Sequence, residues 1–142
     1  MLLLSAVSVF ANLPGGGTNG TNVTLTDNGT TVTMANGIVS ITFTKTSAQI
    51  STINYTFNNT GSSQTLNLVS GNSNGGKLYW ENSNNQGLTF TYSVVADPAS
   101  DGGNYAEVSM VSTTVTNVVM EVHYSMLRGN TGFYVTPIFI HR

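Results

Sequence analysis

Residues 22–43, NVTLTDNGTTVTMANGIVSITF, decide the fold class of this chain. Apolar side chains recur there at alternate positions: Val23 and Leu25, Val32 and Met34, then Val39, Ile41 and Phe43, with Thr and Ser between them. This is the period of strands buried on one face, because successive side chains leave a pleated strand on opposite sides. Asp27-Asn28-Gly29 and Asn36-Gly37 fall between the runs. Asn-Gly accepts the positive φ angles that tight hairpin turns demand, so the stretch predicts a meander of short antiparallel strands.

The pattern continues outward. Ile50, Ile53, Tyr55 and Phe57 extend the meander, and Asn58-Asn59-Thr60-Gly61-Ser62-Ser63 breaks it with turn-forming residues. Leu66/Leu68 and Leu78/Trp80 are short runs around the loop Gly71–Gly76, and Leu88, Phe90, Tyr92 and Val94 mark a cleaner strand. Ala96 to Asn104 is the longest unpatterned loop, read as a connection between strands. Beyond it come Ala106/Val108/Met110, Val118/Met120/Val122/Tyr124 and a final run from Phe133 to Ile140. Pro137 inside that run cannot donate a ladder hydrogen bond, which predicts an edge strand or a bulge. No window carries a sustained 3.6-residue apolar stripe, so the expected fold is an all-β antiparallel sandwich.

Composition narrows the function classes. The chain has 142 residues, 7% of them charged, with a net charge of −2. That length suits about one domain, burying roughly two-thirds of its unfolded surface. Nothing supplies the basic footprint that nucleic-acid phosphates require, so no nucleic-acid partner is expected. Cysteine is absent, which removes both disulfides and thiol chemistry. Residues 1–11 form an apolar block too short to span a bilayer but suited to the core of a secretory signal, with Ala11 at a plausible cleavage point. Residues 12–21 read as a flexible Gly/Thr/Asn linker, and 22–142 as the sandwich. The expected protein is secreted and has no membrane partner.

Two segments carry a family resemblance. In residues 120–142, Met126-Leu127-Arg128-Gly129 is followed after two residues by Gly132-Phe133-Tyr134 and an apolar run ending at His141. Upstream, Gln49-Ile50-Ser51-Thr52-Ile53-Asn54-Tyr55 places a polar residue before Ile-x-x-Ile-x-Tyr. In this order the two segments resemble the rhamnogalacturonan lyases of polysaccharide lyase family four. The resemblance implies a galactose-mutarotase-like sandwich and a parent enzyme that cleaves the rhamnose–galacturonate backbone of pectin, rhamnogalacturonan I, by β-elimination. Pro137 departs from the pattern, since the related enzymes more often have a small residue there.

Elimination at a uronate needs a base for the C5 proton, a group to neutralise the carboxylate and an acid for the leaving oxygen. The resemblance implies a lysine base, an assisting histidine and substrate-holding arginines placed after the strand equivalent to Phe133–His141. None of these can be carried onto this sequence. Its last run is still in strand pattern at His141-Arg142, so the chain is expected to be an inactive fragment with its catalytic residues downstream of Arg142. The substrate-contact candidates are His141, Arg142, Arg128 and Trp80. Arg128, at a bend before Gly129, also suits a structural role bonding backbone carbonyls. Trp80 with Tyr79 suits either sugar stacking or a core anchor.

The remaining cations read as surface groups: Lys45 in a turn, Lys77 at a strand edge, and His123 facing solvent opposite Val122 and Tyr124. Two isolated histidines and six scattered acids give no metal-ligand spacing, and no cofactor motif is present. Asn22, Asn28, Asn54 and Asn58 begin Asn-x-Thr triplets. Two alternatives to the lyase reading belong to other classes. One is a non-catalytic carbohydrate-binding sandwich using Tyr79, Trp80 and Tyr105; the other is a structural or adhesive module that self-associates through the edge at Ile138–Arg142.

Overall fold

A computed structural model describes residues 19–59, 61–69, 87–115 and 117–142. The described strands form two antiparallel sheets, as the alternation predicts, in an arrangement compatible with a β-sandwich. The first is a five-stranded meander of β1 (Thr24–Asp27), β2 (Thr31–Ala35), β3 (Val39–Thr44), β4 (Ile50–Asn59) and β5 (Ser62–Asn67), with neighbours in chain order. The second is a four-stranded meander of β6 (Thr91–Ala96), β7 (Tyr105–Ser112), β8 (Val118–Leu127) and β9 (Tyr134–His141). The signal-like block, most of the linker, and the runs at Leu78 and Trp80 lie outside the described residues.

The turn residues act as read. Gly29 and Gly37 sit at φ 86° and 83°, and the Asp27 carboxylate accepts from the Gly29 N–H at 2.8 Å, closing the β1–β2 turn. The strand read from Leu88 to Val94 starts later than its pattern: Leu88 and Phe90 are buried but precede β6, and the Phe90 N–H is donated across to Thr46 O at 2.8 Å. The loop after β6 contains a single 3₁₀ turn, Pro98–Ser100, whose preceding Asp97 accepts from the Ala99 N–H.

One face of each sheet is apolar, and the two faces make a common core. Val32, Met34, Ile41 and Phe43 from the first sheet meet Val108, Met110, Val122, Tyr124 and Met126 from the second, all at 0% exposure. The Phe43 and Tyr124 rings lie 5.1 Å apart, tilted by 47°, and the Tyr124 hydroxyl donates to Ala48 O at 2.7 Å. Each such side chain contributes about 1.5–3 kcal/mol by leaving water. The exposed Lys45–Asp27 pair adds little beside them.

The outward face of the first sheet explains the threonine-rich composition. Thr33 lies opposite Thr42, and Thr56 opposite Thr65, with hydroxyls 3.1 and 3.0 Å apart. β-Branched hydroxyl pairs favour a pleated surface and stay wet without charge. The core does not extend to every strand: β5 and β9 are exposed along their whole length. β9 pairs with β8 at the edge of its sheet, and the register runs unshifted through Val122↔Pro137, so Pro137 stands on an edge strand without a bulge.

Candidate functional site

Strand alternation turns Tyr105, Glu107 and Ser109 of β7 away from the core, whose side takes Ala106, Val108 and Met110. On β8 the same alternation turns out Glu121, His123 and Ser125. The β7–β8 register sets Ser109 opposite His123 and Glu107 opposite Ser125, which concentrates these groups on the outer face of the second sheet. His123 Nδ1 is 2.5 Å from Glu107 Oε1, and its Nε2 is 2.9 Å from Glu121 Oε1. The Ser109 hydroxyl donates to the same Glu121 oxygen at 2.5 Å, and the Tyr105 hydroxyl donates to Glu107 Oε2 at 2.6 Å. The result is a continuous polar chain, Tyr105–Glu107–His123–Glu121–Ser109.

Its electrostatics follow from what each atom can do. Ionised carboxylates only accept, so a ring that satisfies both glutamates donates from both nitrogens and is an imidazolium. Burial pulls the His123 pKa down, but the hydrogen bonds and charges of Glu107 and Glu121 outweigh it, and the net shift is upward. The Ser109 hydroxyl, opposed by partial burial and helped by His123, holds the Glu121 carboxyl below its usual range. Burial and the bond to Glu107 push the Tyr105 phenol up to about 12, against a smaller opposing effect of Ser125. An imidazole engaged at both nitrogens has no lone pair to take a proton from carbon. In this state His123 does not act as a general base, and the network ties β7 to β8.

The structure corrects three readings of single residues. His123 does lie on the outer face, but its side chain is only 17% exposed and is clasped between carboxylates. Lys45 is not a free surface cation: Nζ is 2.7 Å from both Asp27 oxygens and stands 5.1 Å from the centre of the Tyr92 ring. Tyr105 is half-buried with its hydroxyl engaged, which does not suit an open stacking platform.

The substrate-contact candidates are not brought together. Arg128 donates Nε to Gly20 O at 2.8 Å, bracing the segment that leads into β1. His141 ends β9 opposite Val118, and Arg142 follows with its N–H donated to Asn117 O at 3.1 Å. Arg128 precedes β9 and His141 closes it, so the length of an eight-residue strand, about 25 Å, separates them. Alternation also sets His141 on the side of β9 opposite Thr136, the residue that faces His123. Trp80, with Tyr79 and Lys77, lies outside the described residues.

Two shallow depressions, each about 400 Å³, mark the surface of the described residues. One runs along Asn22–Leu25 against Asp97–Gly103, and the other along Gly129–Tyr134. Among the described residues no group of His, Cys, Asp and Glu has metal-binding geometry. Compared with models of known families, with curated proteins and with solved structures, the chain has no match.

Proposed function

We propose that this chain is the front β-sandwich of a secreted rhamnogalacturonan lyase, a protein that opens the rhamnose–galacturonate backbone of pectin by β-elimination. The observation that carries this reading is the hairpin of β8 and β9. Met126 and Leu127 end one strand, Arg128 and Gly129 turn the chain, and Gly132-Phe133-Tyr134 opens the next, in the order the resemblance rests on. The all-β architecture fits the sandwich that the resemblance implies. Within the described residues Lys45 is tied to Asp27 and His123 to two carboxylates, so neither is offered as the base of the elimination.

The test is to sequence the coding DNA past Arg142 and assay the whole translated product on rhamnogalacturonan I. A lyase releases an unsaturated uronate, visible by ultraviolet absorbance, and leaves it on the new non-reducing end. A stop codon directly after Arg142, or a longer product that forms no unsaturated sugar, overturns the reading.

A second reading, a non-catalytic glycan-binding sandwich, is favoured by the outer-face network. Both bonds of Glu121 fall on Oε1, so Oε2 is left to accept from a sugar hydroxyl. Tyr134, 43% exposed on the neighbouring strand, lies opposite Ser125 on the same face.

A further inference from the structure

Asn36 and Gly37 turn the chain from β2 into β3, and the fold needs both residue types. Gly37 has φ +83°, and a Cβ added there would lie 2.7 Å from Thr21 Oγ1 and 2.8 Å from Thr21 Cβ. Glycine takes that backbone shape without strain and leaves room for Thr21. The carboxamide of Asn36 is buried and used at both ends. Its Nδ2 donates to Leu127 O and Asn130 O, and its Oδ1 accepts from the N–H groups of Ile38 and Val39. An asparagine side chain has two N–H donors, and here both are engaged.

The same dipeptide is chemically labile, because no side chain shields the glycine nitrogen from the neighbouring carboxamide. The Gly37 backbone nitrogen gives its proton to water or hydroxide and forms a bond to Asn36 Cγ. The Cγ–Nδ2 bond breaks, and Nδ2 takes up a proton and leaves as ammonia. The resulting succinimide adds water at one of its two carbonyl carbons and opens to aspartate or isoaspartate. Water is consumed, ammonia is released, and nothing is oxidised or reduced.

We propose that Asn36 is a site of this hydrolytic modification that the folded chain closes and unfolding opens, so that each unfolding episode leaves a permanent mark. This does not rest on the lyase reading. To set Cγ over the Gly37 nitrogen the carboxamide must swing away from its partners, which breaks the four bonds to Leu127, Asn130, Ile38 and Val39 together. In the unfolded chain those partners are elsewhere and the reaction runs. Aspartate then places a carboxylate oxygen where Nδ2 donated, facing two carbonyl oxygens at a buried position. Isoaspartate adds a main-chain carbon between β2 and β3 and displaces Gly37 from Thr21. Neither product restores the tie between the sheets, and an unfolded chain modified before it refolds makes unfolding irreversible.

The test follows the 142-residue chain at one pH and temperature in buffer and in guanidinium chloride. Peptide mass mapping reads the amide-to-acid change at Asn36. Chains modified at Asn36 are then separated by ion exchange, returned to buffer, and compared in guanidinium midpoint with unmodified chains. Chains modified only at Asn28, before Gly29 in the exposed β1–β2 turn, control for the added charge. Unfolded chains are a small minority in buffer, so the Asn36 reaction is expected to be at least about a hundredfold slower there than in denaturant. The Asn36-modified chains are expected to unfold at a lower midpoint than the Asn28-modified control. A smaller ratio of rates overturns the inference, and so does an Asn36-modified chain with the midpoint of that control.

Discussion

The side-chain amide of Asn36, in the turn between β2 and β3, donates to the backbone carbonyl of Leu127 at the end of β8, 2.9 Å away. The same Nδ2 donates to Asn130 O at 2.8 Å, while Oδ1 accepts from the N–H groups of Ile38 and Val39 at 3.1 and 2.9 Å. One buried side chain, 1% exposed, therefore ties a turn of the first sheet to the β8–β9 turn of the second. Asn36→Ala leaves buried carbonyls and N–H groups without partners, each costing about 1–3 kcal/mol. The expected total is roughly 2–5 kcal/mol, read as a lower urea midpoint at unchanged m-value. A loss below about 0.5 kcal/mol would show that water replaces the amide without penalty.

The Glu107–His123–Glu121 clasp gives stability a pH dependence of definite sign. The folded pKa of His123 is raised above 6.5, so the imidazolium's contribution is fully present below about 6.5 and is lost as pH rises through the raised value. Glu121 has the opposite sign: it is held below 4.5, so its contribution is present above about 4.5 and is lost as pH falls through the lowered value. Urea midpoints should therefore fall on both sides of a mildly acidic to neutral optimum. His123→Gln should flatten the alkaline limb and reduce the acid limb to the part that the Ser109 hydroxyl supports. An alkaline limb of equal height in wild type and variant would show that His123 is not its source.

Gly129 turns the chain after β8 at φ +73°, and a Cβ built there would lie 2.5 Å from Asn19 O. Gly129→Ala thus meets both a left-handed backbone and a backbone oxygen that cannot rotate aside. Strain of this kind costs about 1–3 kcal/mol. Gly132 has open space around its Cβ position and no positive φ, so Gly132→Ala should change the thermal midpoint far less. Equal shifts in the two variants would place the constraint elsewhere in the turn.

The fold class was legible because period-two alternation is a local property. Val32/Met34, Ile41/Phe43, Val108/Met110 and Val122/Tyr124 each report their own burial, and all are buried. The Asn-Gly turns were legible for the same reason. The candidate site was not. Tyr105-x-Glu107-x-Ser109 and Glu121-x-His123-x-Ser125 each show that three polar groups share a face, but their meeting depends on the register across a loop, Ser109↔His123. A register shifted by two residues would have left His123 without one of its glutamates. Lys45 and Asp27, eighteen residues apart, likewise meet only because β1, β2 and β3 fold back on one another. Strand patterns name faces, and pairing decides which side chains become neighbours.

Glycan recognition by the outer face can be separated from nonspecific charge effects by the sign of one substitution. Pectic backbones are polyanionic, so removing a carboxylate from the protein by itself strengthens attraction to them. Glu121→Gln removes such a charge, and if the carboxylate made no specific contact the variant would be retarded more strongly in a gel containing rhamnogalacturonan I. A hydrogen bond from a sugar hydroxyl to a charged acceptor contributes about 1.5–3 kcal/mol, so its loss weakens binding by about tenfold or more. The expected result is therefore reduced retardation of Glu121→Gln, with the exposed Asp27→Asn control unchanged or slightly more retarded. Stronger retardation of both variants would remove the outer face from glycan contact and leave it as a brace between β7 and β8.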